Sequence, residues 1–166
     1  ARQQEILISH RQWLIHSYDV LLKLSEIDVA TEELLSSERG YLIKQERDYL
    51  KDFETSEKTI DATIARLAVL AKDNPTQVKR VEFLKRTLER RKNFLRAVMS
   101  AADKEGFIAA RKLVNARGRE GGEKQADEIL HEMITAERDL LRLRAEKLAT
   151  ETQYNSEYTS TLLALA

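Results

Sequence analysis

The chain has 166 residues, and its 28 basic and 28 acidic side chains give a formal net charge of zero. This balance argues against nucleic-acid binding, which depends on an excess of Lys and Arg, and the absence of Cys excludes disulfides and thiolate metal sites. A charged fraction of 34% with one Pro is typical of long helices with solvated faces, and no complete membrane span occurs.

The first predicted helix covers residues 3–43, because neither Gly nor Pro interrupts the chain before Gly40. At 1.5 Å per residue it is about 60 Å long and needs partners of similar length. Two seams along it predict packing against two neighbours. One has heptad spacing: Val20, Leu24, Ile27, Thr31, Leu34, Glu38 and Tyr41. The other is mixed: Leu14, Tyr18, Leu21, Ser25, Asp28, Glu32, Leu35, Arg39 and Leu42.

The second predicted helix covers residues 46–72. The polar residues 44–48 before and at its start predict a kink or short break after the first helix. Its apolar residues keep a heptad spacing, which again indicates one packed face. They are Leu50, Phe53, Ile60, Ile64, Leu67 and Ala71, with Glu57 in the same row.

A turn at Asp73 separates the second and third helices. Asn74 is a good N-cap, Pro75 suits the first helical position, and Gln77 stands where a capping-box side chain folds back to the cap. Arg80 follows one turn later. A connection this short predicts that the flanking helices lie antiparallel.

The third helix is predicted over residues 75–114, with a break near 103–106 because Gly106 interrupts it. Four of the five glycines fall between residues 106 and 122, so the next tight turn is expected there. The packed row of this helix contains one polar residue, Arg91. The apolar members are Val81, Leu84, Leu88, Leu95, Val98 and Ala102.

The fourth helix is predicted over residues 120–163. Its two adjoining rows consist of Ala126, Ile129, Met133, Ala136, Leu140 and Leu143, and of Leu130, Ile134, Glu137, Leu141, Arg144 and Leu148. Four long helices with short connections predict an all-α, antiparallel up-down-up-down four-helix bundle, a single domain over residues 1–166. Both termini then emerge at one end. The apolar residues 161–166 fit either a frayed helix end or the start of a membrane span.

Charged residues within the packed rows indicate ion pairs that fix helix register. If the first and fourth helices are antiparallel from a common end, Arg39 faces residues 127–132. We therefore predict an ion pair from Arg39 to Glu128 or Glu132. The charged row members Glu38, Glu137 and Arg144 are interpreted as structural rather than as a ligand site.

No catalytic or metal-binding motif is found. Glu128 and His131 have the E-x-x-H spacing of di-iron bundles, but a second copy is missing, because His10 and His16 follow Leu7 and Trp13 at that spacing. Phosphate-binding loops, H-E-x-x-H and nucleophile elbows do not occur either. We expect no cofactor, no metal and no catalysis in this chain.

Three motifs follow one another over about residues 14–144. The first is Ser37, Glu38, Arg39, Gly40, Tyr41, Leu42 and Ile43, followed by Tyr49, Leu50 and Phe53. The second is the turn containing Asp73, Asn74, Pro75, Gln77 and Arg80. The third is Gly106 with the final-helix residues Met133, Glu137, Leu140, Leu141 and Arg144. In this order, the three motifs resemble those of the class-three CHASE extracellular sensor domains.

The sequence also departs from the family pattern. An acidic residue, Thr and Gly usually precede the family's Arg-Gly-Tyr, where this chain has Leu35, Ser36 and Ser37. A Thr-Gly pair that usually follows the motif is replaced by Lys44 and Gln45.

The resemblance implies an extracytoplasmic, periplasmic domain between two transmembrane helices of a bacterial inner-membrane receptor. Its parent is most often a two-component sensor histidine kinase, less often a chemotaxis-type transducer or nucleotide cyclase. We expect a homodimer in the intact receptor, an unidentified small ligand or protein partner, and no nucleic acid. Residues 39–49 and 106–122 are predicted to perceive the stimulus, and the row from Leu140 to Leu148 to relay it. The alternative is a cytosolic coiled-coil or spectrin-like structural or adaptor protein, which explains the heptads but not the motifs.

Overall fold

The computed structural model describes residues 2–72, 74–117 and 122–164, which form five helices. They are α1 (Arg2–Lys44), α2 (Arg47–Ala71), α3 (Pro75–Glu105), α4 (Phe107–Arg117) and α5 (Gly122–Ala164). These ranges contain no strand, so the predicted all-α helical bundle is confirmed. Within the same ranges, no helix is long and apolar enough to cross a membrane.

The chain divides into two compact units. Unit 1 consists of Ala1–Leu22 and Ile134–Ala166, and unit 2 consists of Lys23–Met133. The single domain expected over residues 1–166 stays a prediction.

Helices α2 and α3 of unit 2 are antiparallel. Lys92 Nζ donates a hydrogen bond to Asp61 Oδ1 at 2.5 Å, and Arg96 pairs with Glu57. From the first pair to the second, the partner on α3 lies four residues later and the partner on α2 four residues earlier. Such a pattern is that of antiparallel helices. Burial lowers the pKa of Lys92, but the hydrogen bonds that its ammonium group donates to Asp61 and Glu89 outweigh that effect, so the pKa is raised.

The heptad row predicted for α1 is buried throughout. Its part in unit 2 contains Leu24, Ile27 and Leu34, which have no exposed area, together with buried Thr31, Glu38 and Tyr41. The row predicted for α2 is buried from Phe53 to Ala71, and every predicted row member of α3 is buried, including Arg91. Heptad spacing therefore located the core of unit 2 correctly.

The second row predicted for α1 is largely wrong. In unit 2 its members Ser25, Asp28, Glu32 and Arg39 are exposed, and only Leu35 is buried. The polar members of the row are better hydrated than packed, so they face solvent. The buried face of α1 in unit 2 widens instead on the other side of the heptad row, where Ala30 and Ser37 are buried.

The predicted break after the first helix lies at Gln45. Its φ is +55°, and the next residue, Glu46, returns to extended backbone with φ −86°. Left-handed backbone is unfavourable for a residue with a side chain. In the family that the sequence resembles, the usual Thr-Gly pair has its Gly at the position of Gln45. This chain therefore has a residue with a side chain where glycine suits the backbone best.

The turn before α3 begins with an N-cap at Asn74, as predicted. Its Oδ1 accepts hydrogen bonds from the backbone N–H groups of Thr76 (3.1 Å) and Gln77 (3.2 Å), and Pro75 is the first helical residue. The reciprocal half of the predicted capping box does not form. The Asn74 N–H donates instead to the Ala71 carbonyl at 2.9 Å, so it does not need the Gln77 side chain. Asp73 lies outside the described residues, and Arg80 is half-buried on the first turns of α3.

The predicted break in the third helix falls at Gly106, between α3 and α4. Gly106 has φ +88°, and its N–H donates to the Ala102 carbonyl at 3.1 Å. A Cβ added there would meet open space, so the backbone conformation rather than packing favours glycine.

Candidate functional site

The first half of α1 and the main part of α5 pack antiparallel in unit 1. Three contacts join them: Ser17 with Glu137, Trp13 with Arg144, and His10 with Glu151. The earlier the residue lies in α1, the later its partner lies in α5. The start of α1 and the end of α5 therefore lie at the same end of unit 1, as predicted.

A buried polar cluster holds these two helices together. Glu137 is 3% exposed and Ser17 is fully buried, and the Ser17 hydroxyl donates to Glu137 Oε1 at 2.6 Å. The Nη1 atom of Arg144 donates a hydrogen bond to Ser17 Oγ at 2.5 Å, and the same atom lies 3.6 Å from Glu137 Oε1. The positive guanidinium compensates the buried carboxylate, which alone would be costly to desolvate.

The indole of Trp13 completes this cluster. The guanidinium of Arg144 lies 4.9 Å from the Trp13 ring centroid and donates to the Trp13 carbonyl at 3.1 Å. Planar guanidinium groups stack well on aromatic faces, so the ring fixes the position of the charge. We call Trp13, Ser17, Glu137 and Arg144 the α1–α5 cluster.

Two shallow clefts flank the α1–α5 cluster in unit 1. One, of about 270 Å³, is lined by Ser9, His10, Trp13, Arg144 and Lys147. The other, of about 610 Å³, is mainly apolar and lies between Leu14 of α1 and Ala145, Leu148, Ala149 and Thr152 of α5. Both are open to solvent rather than enclosed, unlike the deep pockets that bury most of a small ligand.

The α1–α5 cluster is suited to fixing the register of two helices. Glu137 and Arg144 of α5 both contact α1, so a shift along the axis separates these charged groups from Ser17 and the Trp13 carbonyl. Such groups permit a few discrete arrangements and penalise those between them. Among the described residues, no three His, Asp or Glu side chains converge as metal ligands.

Two residues of the predicted signature, Tyr41 and Gly40, make close contacts in unit 2. The Tyr41 hydroxyl donates to Asp103 Oδ1 at 2.5 Å, and this hydrogen bond, with burial, raises the Tyr41 pKa. A Cβ added at Gly40 would collide with the Tyr49 ring, so glycine allows the ring to lie on the helix backbone. Lys44 Nζ lies 5.7 Å from the centroid of the same ring.

The predicted ion pair of Arg39 with Glu128 or Glu132 is wrong. All three residues are exposed, and within the described ranges none of them forms an ion pair with another. Within the predicted range 127–132, the carboxylate that pairs is Asp127, which accepts from Arg91 Nη1 of α3 at 3.2 Å. The assumption of equal rise from a common end misplaced the register of α1 and α5.

The other signature residues have structural positions. Glu38 is buried and has a partner, and Met133 is buried in unit 2. Leu140 and Leu141 are half-buried in unit 1, on the same helix as Glu137 and Arg144. Of the predicted signature residues, only Glu137 and Arg144 belong to the α1–α5 cluster.

Sequence reasoning missed the α1 half of this cluster, although a signal was present. The predicted heptad row of α1 begins at Val20. Extended backward with the same alternation of three and four residues, it passes through Ser17, Trp13 and His10, which are the three α1 residues that contact α5. Two of these three residues are polar, so apolar periodicity alone does not extend the row to them.

Comparisons with known proteins agree with this architecture. The chain is similar in fold to a Rhodopseudomonas palustris structure titled "histidine kinase HK9 sensor domain", with a TM-score of 0.70 and 23% identity. The match covers 75% of this chain and 97% of the other. Among curated protein sequences, the comparison found no match. The family described as the CHASE3 domain matches residues 10–147, well over half of the sequence, and the chain therefore belongs to the CHASE3 domain family.

Proposed function

We propose that this chain is the extracytoplasmic sensory and signal-transmitting domain of a transmembrane receptor, and that the receptor is a two-component sensor histidine kinase. Membership of the CHASE3 family and the fold likeness to a histidine kinase sensor domain support a sensory role. The observation that carries the proposal is the antiparallel packing of α1 and α5 in unit 1. It brings the start of one helix and the end of the other to a common end, where two membrane spans would continue them.

The signal is relayed as a relative movement of α1 and α5. Packed helices with buried polar contacts favour discrete alternative arrangements over continuous deformation. In the observed arrangement Arg144 bridges Ser17 and the Trp13 carbonyl. A stimulus that binds a second arrangement of α1 and α5 more tightly by a few kcal/mol shifts the population of receptors toward it, enough to change the kinase output.

Perception of the stimulus is assigned to residues 39–49 and 106–117 of unit 2. These segments contain both left-handed residues of the described chain, Gln45 and Gly106. Breaks between helices are where backbone angles change at low cost, so a ligand or partner bound there can reposition the helices that follow. The predicted segment extended to residue 122, of which residues 118–121 lie outside the described ranges.

Location relative to the membrane is tested first. Ser25 is exposed and these 166 residues contain no Cys, so Ser25→Cys introduces one thiol into this domain, in a receptor whose cysteines elsewhere are first replaced. A maleimide that cannot cross membranes should label this variant of the intact receptor in spheroplasts as efficiently as in lysed cells. Labelling only after lysis would overturn the proposal and favour a cytosolic structural protein.

The relay is tested by autophosphorylation of the intact receptor in membranes. Leu141→Ala trims a half-buried side chain next to the α1–α5 cluster, and Leu143→Ala removes the same atoms at a position that is 57% exposed. We expect Leu141→Ala to change basal kinase activity severalfold and Leu143→Ala to leave it unchanged. Equal activity of the two variants, with Leu141→Ala stably folded, would count against the relay.

A further inference from the structure

The smaller cleft of unit 1 is lined by side chains that carry no carboxylate. Its volume is about 270 Å³, and its walls come from both helices: Ser9, His10 and Trp13 of α1, and Arg144 and Lys147 of α5. The whole chain has as many acidic as basic side chains. A lining with two permanent cations and no acidic group is therefore a local concentration of positive charge, which attracts anions.

The carboxylates next to this cleft already have partners. Glu137 is 3% exposed, accepts from the Ser17 hydroxyl and lies beside Arg144, whereas Glu151 pairs with His10. Lys147 is exposed and forms no ion pair within the part of the chain that the structure describes. Its ammonium group is therefore available to an anion that enters the cleft from solvent.

The guanidinium of Arg144 has one edge to spare. Its contacts with Ser17, Glu137 and the Trp13 carbonyl all involve Nη1. Its Nε and Nη2 atoms have no partner among the described residues. Such an edge presents parallel N–H groups that match the two oxygens of a carboxylate. Because the Trp13 ring already holds the guanidinium in place, little side-chain entropy is lost on binding.

The remaining walls suit the rest of a small organic anion. Lys147 follows Arg144 by three residues, so the two like charges are neighbours on one face of α5 and an anion between them offsets their repulsion. On the α1 side, Ser9 supplies a hydroxyl donor and Trp13, which is 46% exposed, supplies an indole N–H and an apolar ring edge.

We propose that this cleft, here called the anion cleft, binds a small organic anion with one carboxylate group and a short apolar chain. The carboxylate lies between Arg144 and Lys147, and the apolar chain lies against the Trp13 ring. The volume is below the range of about 300–1,000 Å³ usual for small-molecule sites, so the ligand is smaller than a drug-sized molecule. Charge-assisted hydrogen bonds, rather than burial, hold it in an open cleft.

A ligand in the anion cleft contacts α1 and α5 at once. It therefore stabilises the arrangement in which the Arg144 guanidinium lies over the Trp13 ring. In the intact receptor this is an input separate from residues 39–49 and 106–117 of unit 2. The effect on kinase output rests on the proposed function, whereas binding to the chain itself does not.

The fluorescence of Trp13 reports binding directly, because it is the one tryptophan of the chain and it lines the cleft. The 166-residue chain is titrated with sodium butyrate at constant ionic strength, and with butyramide, which has the same carbon chain without the charge. We expect a saturable change of emission with butyrate and none with butyramide. Equal responses to the two compounds, or no response to butyrate, would overturn the proposal.

Lys147→Met removes a cation of the anion cleft and leaves the α1–α5 cluster untouched. Arg138→Met is the matched control, because Arg138 is exposed, forms no ion pair within the described residues and lies nine residues earlier, on the opposite side of α5. We expect Lys147→Met to weaken butyrate binding at least about fivefold and Lys147→Arg to preserve it. An equal loss in Arg138→Met would show attraction by net charge alone and overturn the site.

Two further measurements separate the anion cleft from other occupants and from the proposed function. A change of Trp13 emission with phosphatidylglycerol vesicles, and none with butyrate, would overturn the proposal in favour of a membrane surface. Specific butyrate binding that leaves autophosphorylation of the intact receptor unchanged would support the cleft and count against the relay. Labelling of Ser25→Cys only after lysis would remove the receptor assignment and leave the cleft standing.

Discussion

Arg144 donates a guanidinium N–H to the backbone carbonyl of Trp13, 131 residues earlier in the chain. The same guanidinium lies over the Trp13 ring and beside the buried carboxylate of Glu137. One side chain therefore connects the backbone, an aromatic ring and a buried charge across two helices. Its removal tests how unit 1 is held together.

Arg144→Met should lower the free energy of unfolding by about 1–3 kcal/mol, because it leaves the Glu137 carboxylate buried without its charged partner. The double variant with Glu137→Met should lose less than the sum of the two single variants, since no charge then remains buried. Urea denaturation followed by circular dichroism measures both effects.

Arg142→Met is the matched control for this experiment. Arg142 lies on the same helix, is 67% exposed in its side chain, and lies 3.8 Å from Asp139, which is also exposed. Exposed pairs of this kind contribute little, so we expect a change below about 0.5 kcal/mol. Additive effects of Arg144→Met and Glu137→Met would contradict the coupling.

The Tyr41 hydroxyl makes stability depend on alkaline pH. Its hydrogen bond to Asp103 and its burial raise the Tyr41 pKa in the folded state. The folded protein then holds this proton more tightly than the unfolded chain does. The contribution is therefore complete below the unfolded pKa of about 10 and is lost as pH rises through the higher folded pKa.

Tyr41→Phe should be less stable than wild type at neutral pH, by about 1 kcal/mol for one lost hydrogen bond that leaves Asp103 able to reach water. The difference should shrink as pH rises above about 10, because only wild type loses the contribution. Denaturation at several pH values measures it. Tyr18→Phe, at an exposed hydroxyl, should match wild type at neutral pH. A Tyr41→Phe deficit that stays constant through this range would refute the assignment.

The fold could be predicted from the sequence where apolar periodicity decides burial. The rows of α2 and α3 and the row starting at Val20 are buried as spacing predicts, and the break at Gly106 follows from a residue that tolerates positive φ. Local chemistry also placed the Asn74 cap correctly.

The α1–α5 cluster could be predicted only in part, because it depends on register between distant helices. Spacing indicated that Glu137 and Arg144 share a face, but no local signal gives the shift between α1 and α5. An assumed rise from a common end therefore paired Arg39 with the wrong region. Ser17 was missed because a buried hydroxyl and a solvated one look alike in sequence, and only a partner such as Glu137 distinguishes them.

Gln45→Gly should stabilise the protein. Gln45 has φ +55°, a left-handed conformation that costs a residue with a Cβ about 1–2 kcal/mol and that glycine adopts readily. After the larger entropy of unfolded glycine is subtracted, we expect a gain of about 0.5–1 kcal/mol. Thermal and urea unfolding measure it.

The neighbouring Glu46 supplies the control for this substitution. Its φ is −86°, so glycine relieves no left-handed strain there; Glu46 is the N-cap of α2 without a side-chain cap hydrogen bond, a position that accepts glycine, and glycine also increases the entropy of the unfolded chain. These two effects oppose each other, so Glu46→Gly should change stability by less than about 0.5 kcal/mol. If Gln45→Gly stabilises no more than Glu46→Gly does, left-handed strain at Gln45 is not significant.

Gly40→Ala tests the close approach of the Tyr49 ring to α1. Alanine favours a helix over glycine by about 1 kcal/mol, so the substitution would stabilise α1 if space were available. The added Cβ would instead collide with the Tyr49 ring, which must move away and lose its packing on the helix and its contact with Lys44. We expect a net loss of about 1–3 kcal/mol, as in other overpacked sites.

A double-variant cycle with Tyr49→Ala separates the two opposing effects. With the ring removed, Gly40→Ala meets no obstacle and its helix propensity alone remains, so it should stabilise the Tyr49→Ala protein by about 0.5–1 kcal/mol. The substitution thus changes sign between the two backgrounds, which urea denaturation detects. The same sign in both would mean that the ring yields freely, and that glycine at this position of the CHASE3 motif is not required by Tyr49.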